Sequence, residues 1–232
     1  MNNASILLGL CSSHLVAVRP SLLAEPATAS AFARLAQRAA AKGFDLRAAS
    51  AFRDYDRQAL IVNQKWTGAR QVSDASGLPL EREHMGELQW LEAILRFSAL
   101  PGTSRHHWGT DLDIWDAAAV SEHYRPGLEP GEYAPAGVFG ELTAWLEELI
   151  AAENAEGFYK PYDTDCGGVA PEPWHISYRP VATLLQKEQC IDLCWPLWRG
   201  EPDPEGQRHE VMAMLPLLEC HGERLFDRFV LT

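Results

Sequence analysis

Two short stretches carry metal-binding chemistry, and their separation constrains the fold more than any other feature. The first is Ser104-Arg105-His106-His107-Trp108-Gly109-Thr110-Asp111-Leu112-Asp113, and the second is Glu172-Pro173-Trp174-His175. Together they offer two imidazoles and a carboxylate for a divalent cation, with a further carboxylate three residues before the last histidine. Three protein ligands with an open fourth position mark a catalytic rather than a structural zinc site. A free carboxylate nearby is what a water activated by such a metal needs as proton acceptor. Any fold of this chain must therefore bring residues 104–113 and 172–175 together.

Either cluster alone is weak, because a chain with 8 His and 32 acidic residues pairs the two types by chance. Their joint occurrence in turn-rich, aromatic-containing stretches is more informative, and both are expected at strand edges rather than on helix faces. Cysteine is not required, since two His and one Asp suffice for Zn²⁺.

These residues carry a resemblance. Ser104, His106, Gly109 and Asp113 match a Ser-x-His-x-x-Gly-x-x-x-Asp box, and Glu172-Pro173-Trp174-His175 matches a Glu-x-Trp-His box. Ser50-Ala51-Phe52-Arg53-Asp54-Tyr55-Asp56-Arg57-Gln58 resembles a Ser-Gly-Tyr-Arg-Ser-x-x-x-Gln segment. The three occur in the order found in the zinc D-Ala-D-Ala carboxypeptidase family, whose fold group also takes in lysostaphin-like peptidases and the hedgehog signalling domain. One departure is Asp111, where the family often has Ala; it adds a carboxylate of undetermined effect.

The resemblance implies an α+β fold, a small central antiparallel sheet flanked by helices. It further implies one Zn²⁺ per chain held by His106, Asp113 and His175, with Glu172 taking a proton from a zinc-bound water and handing it to the leaving amine. Arg53 would stabilise negative charge on a terminal carboxylate or on the oxyanion; a surface ion pair with Asp54 or Asp56 is the alternative. Gln58 would order Arg53 or the substrate, and Ser104 would bond a substrate amine or shape the loop. His107 is expected to point away from the site, and Gly109 to require a positive φ. Trp108 and Trp174 read as wall packing, and His14, His84, His123, His209 and His221 as ordinary residues. The implied activity is D-alanyl-D-alanine-type carboxypeptidase action on peptidoglycan-derived peptides. A peptidoglycan endopeptidase and a non-catalytic zinc-containing binding domain are the alternatives; a positioned Glu172 favours an enzyme.

Composition narrows the partners. The formal charge of −12 excludes the basic stripe that nucleic acid requires and disfavours a polyanionic wall polymer, leaving a small peptide substrate. No run approaches the roughly 18 apolar residues that span a bilayer. The first basic residue is Arg19, so residues 1–10 lack the basic start of a signal peptide and are expected to form a buried strand or turn of a cytoplasmic protein. Five scattered cysteines suit reduced thiols. Cys190 and Cys194 are expected on one buried helix face, and Cys166 is near enough in sequence to approach the metal.

At 232 residues and 47% hydrophobic content, the chain suits one large domain, 1–232, with a mostly helical tail from about 181. Helical periodicity predicts a helix over 28–42 started by Thr28 or Ser30 and ended at Gly43, with others through Trp66, over 85–98 and over 139–152. Strands are expected at 44–52, 111–114, 158–159 and 174–178, with 67–83 and 121–137 irregular. The alternation Asp111-Leu112-Asp113-Ile114 puts both aspartates on one face and both aliphatics on the other.

Overall fold

The computed structural model describes residues 3–231. In chain order the elements are α1 (Asn3–Leu7), β1 (Val16–Arg19), β2 (Leu22–Ala24), α2 (Pro26–Ala40), β3 (Leu46–Ser50), α3 (Tyr55–Trp66), α4 (Glu87–Leu95) and β4 (Asp111–Asp116). There follow α5 (Pro130–Tyr133), α6 (Gly140–Ala151), β5 (Phe158–Tyr159), β6 (His175–Tyr178), α7 (Arg179–Glu188), α8 (Trp195–Trp198) and α9 (Leu215–Phe229). Four strands form an antiparallel sheet in the order β3-β4-β6-β5, and β1-β2 is a separate hairpin. The α+β architecture with a small antiparallel sheet is the one expected.

Strand alternation divides the sheet into two faces. Leu112 and Ile114 of β4 and Ile176 of β6 pack with Phe32 and Leu35 of α2 and with Leu142 and Leu146 of α6. The opposite face carries Asp111 and Asp113, which pair across the ladder with Ser177 and His175. An irregularity between Ala48 and Ser50 brings Ser50 opposite Asp113 on the other side. One sheet thus has an apolar face toward α2 and α6 and a polar face toward the site.

A second hydrophobic cluster lies beyond the sheet. It packs Val62 and Trp66 of α3 and Leu91 and Ile94 of α4 against Trp198 of α8 and Leu218, Leu225 and Phe226 of α9. The tail is less regular than expected: residues 199–214 are turns and extended chain, with an isolated bridge between Pro202 and Arg208. Among the described residues no helix is long and apolar enough to cross a membrane.

Several local expectations are corrected. Helix α2 starts two residues early because the Glu25 carboxylate accepts from Thr28 N and Pro26 fills the first turn, where its missing N–H is no loss. Residues 3–7 form a short helix rather than a strand or turn, with Leu7 and Leu8 buried; Met1 and Asn2 of that stretch lie outside the described residues. Cys194 is buried but Cys190 is exposed ahead of a 3₁₀ turn, so the two share no buried face.

Gly109 ends a 3₁₀ turn, Arg105–Trp108, in the left-handed region at φ 71°. A Cβ there would lie 2.7 Å from Leu15 Cδ2 and 3.0 Å from Glu25 N, where the Gly109 carbonyl accepts a hydrogen bond from Glu25 N. Gly109→Ala should therefore cost about 2–4 kcal/mol through left-handed strain and overpacking combined. Urea denaturation checks this, and an unchanged midpoint would show that the turn relaxes freely.

Candidate metal centre and active-site cleft

The ladder itself assembles the centre. Asp113 and His175 are directly paired across β4 and β6, so their side chains leave one face as cross-strand neighbours. His106 comes from the 3₁₀ turn before β4 rather than from a strand edge. That turn is tied to the end of β3 by Arg53 N donating to the His106 carbonyl at 3.1 Å. Potential ligand atoms of His106, Asp113 and His175 all lie within 4.8 Å of one another, and all three residues are buried.

Hydrogen bonds decide which imidazole nitrogens face inward. His106 Nδ1 lies 2.8 Å from the Ala51 carbonyl, which can only accept, so Nδ1 carries the proton and Nε2 faces Asp113 Oδ2 at 3.4 Å. His175 Nε2 donates to Asp111 Oδ1 at 2.9 Å, and its Nδ1 lies 3.3 Å from both Asp113 Oδ1 and Glu172 Oε2. Each imidazole is thus backed by an acceptor on its far side, the arrangement that fixes tautomer and orientation in metal-binding histidines.

Asp111, the residue of unknown effect in the sequence, is fully buried behind His175. Its carboxylate accepts from Arg105 Nε at 2.9 Å and from Thr110 Oγ1 at 2.6 Å. Arg105 in turn donates to Tyr159 Oη and Ser177 Oγ at 2.8 Å and to Gln186 Oε1 at 3.0 Å. Burial alone would raise the Asp111 carboxyl; Arg105 and the hydrogen bonds from His175 and Thr110 outweigh it and hold it well below the usual carboxylate range.

The remaining electrostatics call for a cation. Burial disfavours a charged His175, yet Asp111, Asp113 and Glu172 outweigh that and push its pKa well above that of free imidazole. Burial also opposes the charge of Asp113, and the two imidazoles overcome it. Asp113 Oδ1 is buried without a hydrogen-bond partner. An orphaned carboxylate oxygen beside two inward-facing imidazole nitrogens is a donor set matched to a divalent metal.

Of the other expected residues, Glu172 stands beside His175, its backbone N held by the Tyr162 carbonyl at 2.9 Å. Arg53 makes no ion pair with Asp54, which caps α3 by accepting from Arg57 N, or with Asp56, which pairs with His209. Its guanidinium instead donates to Gln58 Oε1 at 2.8 Å and to Ser50 Oγ at 3.3 Å, and Gln58 Nε2 donates to the Ala99 carbonyl at 2.6 Å. Arg53, Ser104, His106, Asp113, Glu172 and His175 line one cleft of about 370 Å³; Gln58 lies behind its wall. Ser104 lines the cleft as the N-cap residue of the 3₁₀ turn and makes no side-chain capping hydrogen bond.

His107 points away, its Nδ1 donating to the Arg53 carbonyl at 2.6 Å and its Nε2 accepting from Gly102 N at 3.0 Å. Burial lowers its pKa to about 3, so it stays neutral. Trp108 packs with Leu7 and Ala182, whereas Trp174 packs with Tyr133 and Phe139 and also reaches the cleft. Cys166 is exposed and outside the metal-binding group. Two cleft residues carried no signal in the sequence: Lys65, one basic residue on an amphipathic helix, and Arg70, in a polar loop.

The Arg105–Asp111 pair is buried on both sides. Removing one partner of such a pair strands the other charge, so Asp111→Ala should destabilise the metal-free protein by about 3–5 kcal/mol. Urea melts in excess chelator measure this, and a loss below about 1 kcal/mol would mean that Arg105 is satisfied without Asp111.

Comparison with known proteins agrees with this layout. The family model "VanY: D-alanyl-D-alanine carboxypeptidase" matches residues 21–181, well over half of the chain. An uncharacterised protein of Haemophilus influenzae is 36% identical over 104 residues, 44% of this chain and 77% of its own length. Among solved structures, VanYB in complex with D-alanine-D-alanine superposes with a TM-score of 0.51 at 23% identity, covering 77% of this chain and 85% of that one. A mutant of the vancomycin-resistance D,D-pentapeptidase VanY in complex with Zn(II) gives a TM-score of 0.51 at 22% identity, covering 77% and 86%. The chain is therefore a peptidase belonging to the VanY family of D-alanyl-D-alanine carboxypeptidases.

Proposed function

We propose that this peptidase is zinc-dependent and removes the C-terminal residue from D-alanyl-D-alanine-type peptides derived from peptidoglycan. The observation that carries this reading is the convergence of two oriented imidazoles and a carboxylate beside Glu172 Oε2, 3.3 Å from His175 Nδ1. The D-Ala-D-Ala and Zn(II) complexes of the VanY relatives support the choice of substrate and metal.

The metal would be held by His106 Nε2, the Asp113 carboxylate and His175 Nδ1. Zinc bound there supplies Lewis acidity, polarising the scissile carbonyl and acidifying a water. Glu172, close to that position but already flanked by three ligands, accepts the proton of the attacking water as its oxygen bonds to the carbonyl carbon. It then delivers that proton to the amine nitrogen as the C–N bond breaks, leaving an acid and a free amino acid. Arg53, held by Gln58 and Ser50 and desolvated by its surroundings, donates to a substrate carboxylate across the cleft. Asp111, behind His175, keeps Nδ1 turned inward. A binding-only domain has no need of a carboxylate positioned as Glu172 is.

Two variants test the assignment together. Glu172→Gln should retain about one equivalent of zinc while turnover of a D-Ala-D-Ala-terminated peptide falls by roughly 10²–10⁴, the usual worth of a positioned base. His175→Ala should lose most of its zinc. Near-normal turnover in the first variant, or full zinc retention in the second, would overturn the corresponding role.

A further inference from the structure

Three cations line one wall of the cleft: Arg53, Lys65 and Arg70. The chain carries 20 basic and 32 acidic residues, so carboxylate partners are abundant. Yet among the described residues none of the three makes an ion pair. Arg53 bonds only neutral oxygens of Gln58 and Ser50, and the Lys65 ammonium has one hydrogen bond, to Ser98 Oγ at 2.8 Å.

Lys65 lies in the last turn of α3, partly buried, and α3 is held by the apolar cluster it shares with α4, α8 and α9. Ser98 follows α4, so the pair joins two elements at the rim of the site. Burial and the neighbouring Arg70 and Arg53 lower the Lys65 pKa to about 8, against the pull of Glu172. Keeping a desolvated ammonium beside two guanidiniums is unfavourable unless an anion enters the cleft.

We propose that Lys65, positioned by Ser98, is a second cationic anchor for the substrate's C-terminal carboxylate, acting alongside Arg53. This rests on the carboxypeptidase reading above. A carboxylate has two oxygens, and a guanidinium together with an ammonium satisfies both with charge-assisted hydrogen bonds. The arrangement selects peptides with a free C-terminus and places the scissile bond one residue inward, beside Glu172. Arg70, exposed at the rim, adds attraction without a fixed contact.

The test compares Lys65→Gln and Lys65→Arg with the wild type on a D-Ala-D-Ala-terminated peptide and on its C-terminal amide, with zinc content measured throughout. Loss of one charge-assisted bond should raise KM for the free acid by about 10- to 100-fold in Lys65→Gln, with kcat changed far less. The amide, already lacking the carboxylate, should respond little to the same substitution. Lys65→Arg should recover most of the affinity, and zinc content should not change. Equal losses on acid and amide, or no rescue by arginine, would make Lys65 a structural residue and overturn the proposal. An unchanged KM in Lys65→Gln would do the same. If the zinc-loaded wild type cleaves neither peptide, the carboxypeptidase reading itself fails, an outcome distinct from any of these.

Discussion

The pairing of Asp113 with His175 across β4 and β6 is the constraint on which the site depends. A slip of β6 by one residue against β4 would send His175 into the apolar layer against α2 and α6 and turn Ile176 toward the cleft. The register is held because Leu112, Ile114 and Ile176 are buried on the far face. Burying such aliphatic side chains contributes about 1.5–3 kcal/mol each, so the apolar face fixes the polar one. Hydrophobic packing on one side of the sheet thereby aligns the charges on the other.

The polar face concentrates charge that would be unfavourable to bury singly. Asp111, Asp113 and His175 are all almost inaccessible to solvent. Arg105 neutralises Asp111 and spends its remaining donors on Tyr159, Ser177 and Gln186. Its guanidinium also lies 4.8 Å from the Trp108 ring centroid, a cation–π contact. The carboxylate so fixed orients His175. Asp113 has no such cation, and its orphaned oxygen together with the raised His175 pKa describes a centre that lacks one positive charge. A divalent metal, as proposed for this site, would supply that charge.

Much of this was legible in the sequence because the relevant signals are local. Asp111-Leu112-Asp113-Ile114 alternates as a strand with one polar and one apolar face must, and the apolar spacing of α3 and α6 runs without a breaker. What escaped depends on side-chain pairings that residue spacing alone does not reveal. Cap choice at α2 turned on the Glu25 carboxylate reaching Thr28 ahead of a proline. Asp111 could not be assigned, since its partnership with Arg105 exists only because the 3₁₀ turn folds back onto β4. Lys65 reads as a solvated helix residue until α4 brings Ser98 to it. Residues 199–214 hold Gly200, Pro202, Pro204 and Gly206 and turn about Asp203, whose carboxylate accepts from Glu205 N and Gln207 N.

The central claim is that the sheet and the turn before β4 present three inward-facing donors suited to one metal. Zinc-edge anomalous diffraction from crystals of the zinc-loaded protein tests it most directly. The account predicts one strong peak per chain, about 2.0–2.1 Å from His106 Nε2 and His175 Nδ1 and in contact with the Asp113 carboxylate, while His175 Nε2 still bonds Asp111. A peak bound through His175 Nε2 with Asp111 displaced, or a peak outside this cleft, would contradict it.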